Sequence, residues 1–265
     1  MKQMIKTAAL SGGIILAATL TAAVGVQAEW AKPKVFSSGS QLVFSDSQWE
    51  NIRIYDNCSM KRKIRMSKRL EKAEQADGRR YLRFTLRDGD KGACGADNKP
   101  NDMSPFRERV ELKQKEILAR NARYSASFDV RFMDGFDGHR ETFWQLHSWD
   151  RSCKSKPPMR FMFRDGLLSM QPLLDGKYKA PAPTAIHLDE LKGRWQRFRV
   201  EFDTADRGMM QLFVNDTLVA DTPFEMADCA VPHMKFGIYR HAAAEGTENP
   251  TSVVDFSYLK VQRLK

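Results

Sequence analysis

An all-β sandwich of two antiparallel sheets is the fold class this sequence predicts, and three observations predict it. Short runs that alternate apolar and polar residues recur along most of the chain. Gly, Asp, Asn and Pro separate them, as turns between strands require. No internal repeat, heptad pattern or long low-complexity tract competes with that reading.

The first 28 residues stand apart. Lys2 and Lys6 precede a small-residue apolar stretch from Ala8 to Val26, and Val26-Gln27-Ala28 closes it with a signal-peptidase pattern. The stretch is short and diluted by Thr and Gly, so it reads as a secretion signal and not as a membrane anchor. Residues 29–265 then form one domain of 237 residues, enough for a full core, in the periplasm or outside the cell. Two lysines leave with the signal, so the formal charge falls from +10 to +8. Such an excess favours an anionic partner. Nucleic acid, an anionic membrane surface and an acidic polysaccharide all qualify; export argues against nucleic acid, and a monomer is expected.

Within the domain, the basic run Met60–Lys72 reads as a loop or solvated face. Strands are expected at Tyr81–Arg87, Arg107–Lys113, Arg123–Phe132, Thr142–Trp149, Met159–Phe163, Arg194–Phe202, Met210–Val214, Met234–His241 and Val253–Val261. Asp88-Gly89-Asp90 ends the first, and Asn215-Asp216 turns a hairpin between Leu212-Phe213-Val214 and Leu218-Val219. Cys58, Cys94, Cys153 and Cys229 form no C-x-x-C pair. In an oxidising compartment they predict two disulfides, and the pairing expected is Cys94 with Cys153 and Cys58 with Cys229. Five scattered histidines show no ligand spacing, so no cofactor is expected; a structural calcium near Asp88 or Asp90 has no further support.

Three strands carry a chemical face, because residues i, i+2 and i+4 of a strand share a side. Arg107, Arg109, Glu111 and Lys113 fall together, with Val110 and Leu112 opposite. Gln145 and His147 share a side flanked by Phe143 and Trp149, with Trp144 and Leu146 opposite. Lys235, Gly237, Tyr239 and His241 share a side, with Phe236 and Ile238 facing the core. An ordinary solvent face would favour Lys, Glu, Thr and Ser; these donors and aromatics suit sugars and carboxylates. Gly237 would let a ligand approach the backbone.

Arg109-Val110-Glu111-Leu112-Lys113 resembles the Arg-x-Glu-Leu-Arg strand of the jelly-roll alginate lyases. Gln145-Leu146-His147 is similar to their Gln-Ile-His strand, and Lys235-Phe236-Gly237-Ile238-Tyr239 to their Lys-Ala-Gly-x-Tyr strand. The layout also resembles the heparin-lyase and glucuronan-lyase group, with its Lys-Phe-Gly-x-Tyr strand and preceding Leu-Phe-Val-Asn hairpin. Lys113 stands where the alginate enzymes usually carry Arg. The resemblance implies a concanavalin A-like β-jelly-roll. It also implies a polysaccharide lyase that cleaves a uronic-acid-containing chain (heparin or heparan-type, glucuronan or alginate) by β-elimination.

β-Elimination must neutralise the uronate carboxylate, remove the C5 proton and protonate the C4 oxygen as it leaves. Arg109 and Gln145 are the expected carboxylate grip, and preorganised donors of this kind are worth about 2.7–4 kcal/mol each. Tyr239, of reference pKa about 10, is the expected acid and a candidate base; His147, near 6.5, is the other candidate base or a further carboxylate ligand. Lys235, Lys113, His241 and Trp149 are expected substrate contacts, and Arg107 with Glu111 a positioning pair. Two other classes compete. A glycoside hydrolase would use flanking carboxylates such as Glu201 and Asp203, though Asp206 replaces the Glu of the glucanase triplet. A non-catalytic glycan-binding module would need aromatics but not the Arg, Gln, His and Tyr set.

Overall fold

The computed structural model describes residues 49–264 except 52–53, 58–61, 66–67, 93–106, 149–152, 154–155 and 244–246. The expected signal 1–28, Cys58, Cys94 and Trp149 therefore lie outside the described residues. The expected strands form, and they pair antiparallel into two sheets.

The front sheet runs β1 (Trp49–Asn51), β6 (Arg107–Gln114), β16 (His233–His241), β8 (Glu141–His147), β9 (Met159–Arg164), β10 (Leu167–Leu174) and β11 (Lys177–Tyr178). On β10 it also carries β12 (Ala182–His187). The back sheet runs β15 (Thr217–Glu225), β14 (Arg207–Val214), β13 (Gln196–Asp203), β7 (Arg123–Phe132), β17 (Ser252–Arg263), β5 (Arg80–Leu86) and β4 (Leu70–Glu74). A ribbon of β2 (Ile54–Asn57) and β3 (Arg62–Ile64) and the four-residue helix α1 (Leu188–Leu191) complete the described elements. Hairpin neighbours such as β8–β9–β10–β11 and β13–β14–β15 alternate with neighbours distant in sequence such as β6–β16–β8 and β7–β17–β5, the arrangement of a β-jelly-roll.

Alternation builds the core, since every second residue of each strand points between the sheets. Phe236 of β16 meets Phe128 of β7 edge-on at 5.1 Å, and Phe143 of β8 meets Phe198 of β13 at 5.6 Å. Trp144 stacks on Phe161 at 4.5 Å and reaches Phe202 across the gap. Each such ring contributes roughly 1.5–3 kcal/mol on burial.

A bulge in β8 departs from simple alternation at the candidate face. Thr142 pairs with Met162 and Trp144 with Phe161, so Phe143 is an extra residue on β8. This bulge sends both Phe143 and Trp144 inward and corrects the expectation that Phe143 flanks Gln145 on the outer face. Opposite it, Gly237 has φ +136, and a Cβ there would sit 2.1 Å from the Val110 carbonyl oxygen. Strand packing therefore requires this glycine, where a ligand approach was expected.

At one end of the front sheet Arg240, 3% exposed, donates to Glu108 at 2.8 Å and Glu141 at 3.1 Å. It also reaches the Pro250 carbonyl at 2.7 Å. Burial pushes Glu141 upward in pKa, while Ser252 and Arg240 oppose the shift.

The described disulfide joins Cys153 to Cys229, which corrects both expected pairings. The reason is topological. β8 and β16 are antiparallel neighbours, so the segment after β8 and the segment before β16 emerge at the same end. The expected hairpin at Asn215-Asp216 forms, and positive φ at both residues makes it a type I′ turn.

Candidate active site

The three strands singled out by their polar faces are consecutive in the front sheet, β6–β16–β8. Their register sets side chains in rows. Tyr239 pairs with Arg109 on one side and Thr142 on the other. Gly237 pairs with Glu111, and His241 with Arg107. Lys113, Lys235, Gln145, Arg160 and Gln171 form a single row across five strands. His147 faces His233 at the next row, with ring centroids 5.0 Å apart.

Glu111, 2% exposed, ties the middle together. Gln145 Nε2 donates to its Oε1 at 2.5 Å, and Arg109 donates to its Oε2 at 3.2 Å. The Arg109 guanidinium also lies 4.5 Å from the centre of the Tyr239 ring. Arg107 contacts His241 Nδ1, so the expected Arg107–Glu111 positioning pair is replaced by Arg107–His241 and by Glu111 with Arg109 and Gln145. The cause is register: Glu111 lies two residues from Lys113, the β6 member of the Gln145 row, whereas Arg107 lies further down the strand beside His241.

Burial, reinforced by the charges of Lys235, His233, Arg109 and Lys113, holds His147 well below its usual pKa. It is therefore neutral at neutral pH. His241 is lowered to about 4, by burial first and then by Arg107, Arg140 and Arg160. In these rows the cations Arg107, Arg109, Lys113, Lys235 and Arg160 surround one acid, Glu111.

Sequence reading missed Arg160, Gln171, Tyr178 and His233. Arg160 sits on an expected strand, but only the strand order places it beside Gln145. β10 and β11 follow Asp165-Gly166 and Asp175-Gly176, both with positive φ at each residue. Those two hairpin signals were available in the sequence. Lys113, Lys235 and His241 fall on the face as expected. Glu201 and Asp203, the acids of the hydrolase alternative, lie on β13 of the back sheet, and Glu201 is bound by Arg123 and Arg199. Asp90 accepts from Arg69 at 2.6 and 2.9 Å, and Asp88 from the Asn249 amide at 3.0 Å. Among the described residues no three His, Cys, Asp or Glu side chains cluster as metal ligands.

A jelly roll whose front sheet carries such a cationic face, with Tyr and neutral His among the charges, belongs to the class suited to acidic chains. The polysaccharide lyase family model matches residues 45–256, and the chain belongs to that family. The fold is shared with family 7 alginate lyase A1-II′ bound to product, at TM-score 0.58 and 14% identity over 82% of this chain and 96% of that one. It is shared with the endo-β-1,4-glucuronan lyase of the fungus Trichoderma reesei, at TM-score 0.52 and 10% identity over 86% and 92%. An alginate lyase from Pseudomonas aeruginosa gives TM-score 0.54 and 17% identity over 82% and 99%. No curated protein matches the chain in sequence. The protein is a polysaccharide lyase.

Proposed function

We propose that this lyase is exported, to the periplasm or beyond, and cleaves a uronic-acid-containing polysaccharide by β-elimination across its front sheet. One observation carries the reading. Arg109, Gln145, His147 and Tyr239 stand on three hydrogen-bonded neighbouring strands, on a face where cations outnumber acids. Structures of the same fold act on uronate chains, alginate and glucuronan.

Arg109 and Gln145, already oriented by Glu111, grip the uronate carboxylate and stabilise the charge that develops on it. Lys235 and Lys113, in the adjoining row, add positive potential. Neutral His147 takes the C5 proton. The C5–H electron pair becomes the C4=C5 double bond as the C4–O4 bond breaks, and the Tyr239 hydroxyl gives its proton to O4. Water is not consumed, so one product carries an unsaturated uronate at its new non-reducing end.

The test is a panel of glucuronan, alginate and heparan-type chains, followed by ultraviolet absorbance and product mass. Unsaturated product from at least one polymer is expected. Saturated products with water incorporated, from every polymer cleaved, would remove the elimination mechanism. Export is checked by the mass of the mature chain, expected to begin at Glu29.

A further inference from the structure

Arg160 is the fourth member of the row Lys113, Lys235, Gln145, Arg160 and Gln171. Its guanidinium donates to the Gln171 side-chain oxygen and lies 4.2 Å from the centre of the Tyr178 ring. Neither partner is an acid, and among the described residues no carboxylate pairs with it. Its Nε is buried with no hydrogen-bond partner among them. A buried donor without an acceptor, and a cation without a counter-charge, are both costly unless a ligand completes them.

The surroundings hold this arginine ready. Tyr178 lies against the guanidinium, a cation–π arrangement that fixes the plane of the fork. The hairpin bearing Tyr178 is pinned to the sheet: Gln171 Nε2 donates to the Lys179 carbonyl at 3.2 Å, and Lys156 Nζ to the Gly176 carbonyl at 3.2 Å. Arg160 turns towards β10 and β11, whereas Arg109 on β6 turns towards Glu111 and Tyr239. The two arginines stand on strands roughly 14 Å apart and in different rows, and Arg160 turns away from Arg109, so one carboxylate cannot engage both.

We infer that Arg160, backed by Tyr178 and Gln171, binds the carboxylate of a second uronate beside the one cleaved, so that the enzyme selects runs of consecutive uronates over chains alternating uronate with a neutral sugar. The inference rests on the elimination reading above. It narrows the substrate to uronate homopolymers or block polymers.

Saturated tetrasaccharides of glucuronate, mannuronate and guluronate are the probes, titrated calorimetrically into Tyr239→Phe with and without Arg160→Gln. The tightest-binding one is expected to weaken about 10–100-fold with Arg160→Gln, the range for losing a charge-assisted hydrogen bond. On the matching polymer, KM should rise by a similar factor with kcat little changed. Unchanged Kd and KM would overturn the subsite, as would failure of all three tetrasaccharides to bind Tyr239→Phe. If binding weakens as expected while no polymer yields unsaturated product, the elimination reading fails and the subsite stands. Should Arg160→Gln unfold, Arg160→Lys keeps the charge and loses the fork. It must still weaken binding, and unaltered binding there overturns the subsite.

Discussion

On the back sheet, arginines are spent on acids of the same sheet. Arg83 and Arg131 hold Asp255, which is fully buried; Arg79 and Arg197 hold Asp129; Arg123 and Arg199 hold Glu201. Aromatic rings lock several of them further, Arg131 against Trp195 at 4.7 Å and Arg79 against Tyr258 at 4.8 Å. On the front sheet Arg109 shares Glu111 with Gln145, and Arg160 rests on neutral groups. A groove of about 990 Å³ lies on the back sheet beside Tyr81, Arg197 and Tyr258. That groove offers volume, but the hydrogen bonding points to the front sheet, where Arg160 meets no acid among the described residues and its Nε is left for a ligand. Counter-charge, more than exposure, separates a structural arginine from a binding one.

The sharpest way to test that division is to remove one hydroxyl from the front face. Tyr239→Phe keeps the ring volume and the Arg109 contact, so folding and substrate binding should hold. If the hydroxyl protonates the leaving oxygen, kcat falls by about 10²–10⁴-fold. Retention of more than about a tenth of kcat would take Tyr239 out of the mechanism.

The complementary change on the back sheet is Asp255→Ala. It strands Arg83 and Arg131 without their acid, and breaking a buried pair costs about 3–5 kcal/mol. Both arginines reach solvent in part, which places the loss near the lower figure. Denaturant unfolding should report that loss, while kcat per folded molecule stays the same. A drop in kcat without a drop in stability would mean that the back sheet takes part in catalysis.

Much of this division was legible in the sequence, and its gaps have physical causes. Period-two alternation exposed the three polar faces, because a strand's sidedness is local. It failed at Phe143, since a bulge inserts a residue that no local pattern marks. It misjudged Gly237, whose reason is the backbone of β6, far away in sequence. Arg160 and Tyr178 escaped because their significance depends on strand order, and the Cys153–Cys229 bridge because it joins loops that meet only when β8 and β16 pair.

The smallest expected effect concerns protons. None of the five histidines lies on a back-sheet strand, so titration between pH 6.5 and 5 reports chiefly on the front face. Burial and neighbouring cations depress His147, and His241 is lowered to about 4. In the unfolded chain both return to about 6.5. As pH falls through 6.5 the unfolded chain therefore takes up protons first. Stability is full above that pH and declines below it, until the folded pKa of each is passed. One such group can contribute a slope of up to about 1.4 kcal/mol per pH unit, so melting temperature should drop progressively from pH 6.5 towards 5. His147→Gln should flatten that decline. In activity, a neutral base persists where an ordinary imidazole would be protonated, so the acid limb of kcat/KM should fall below pH 6.5. A midpoint at or above 6.5 that vanishes in His147→Gln would show His147 titrating as a solvated imidazole. The cationic enclosure drawn around it would then be wrong.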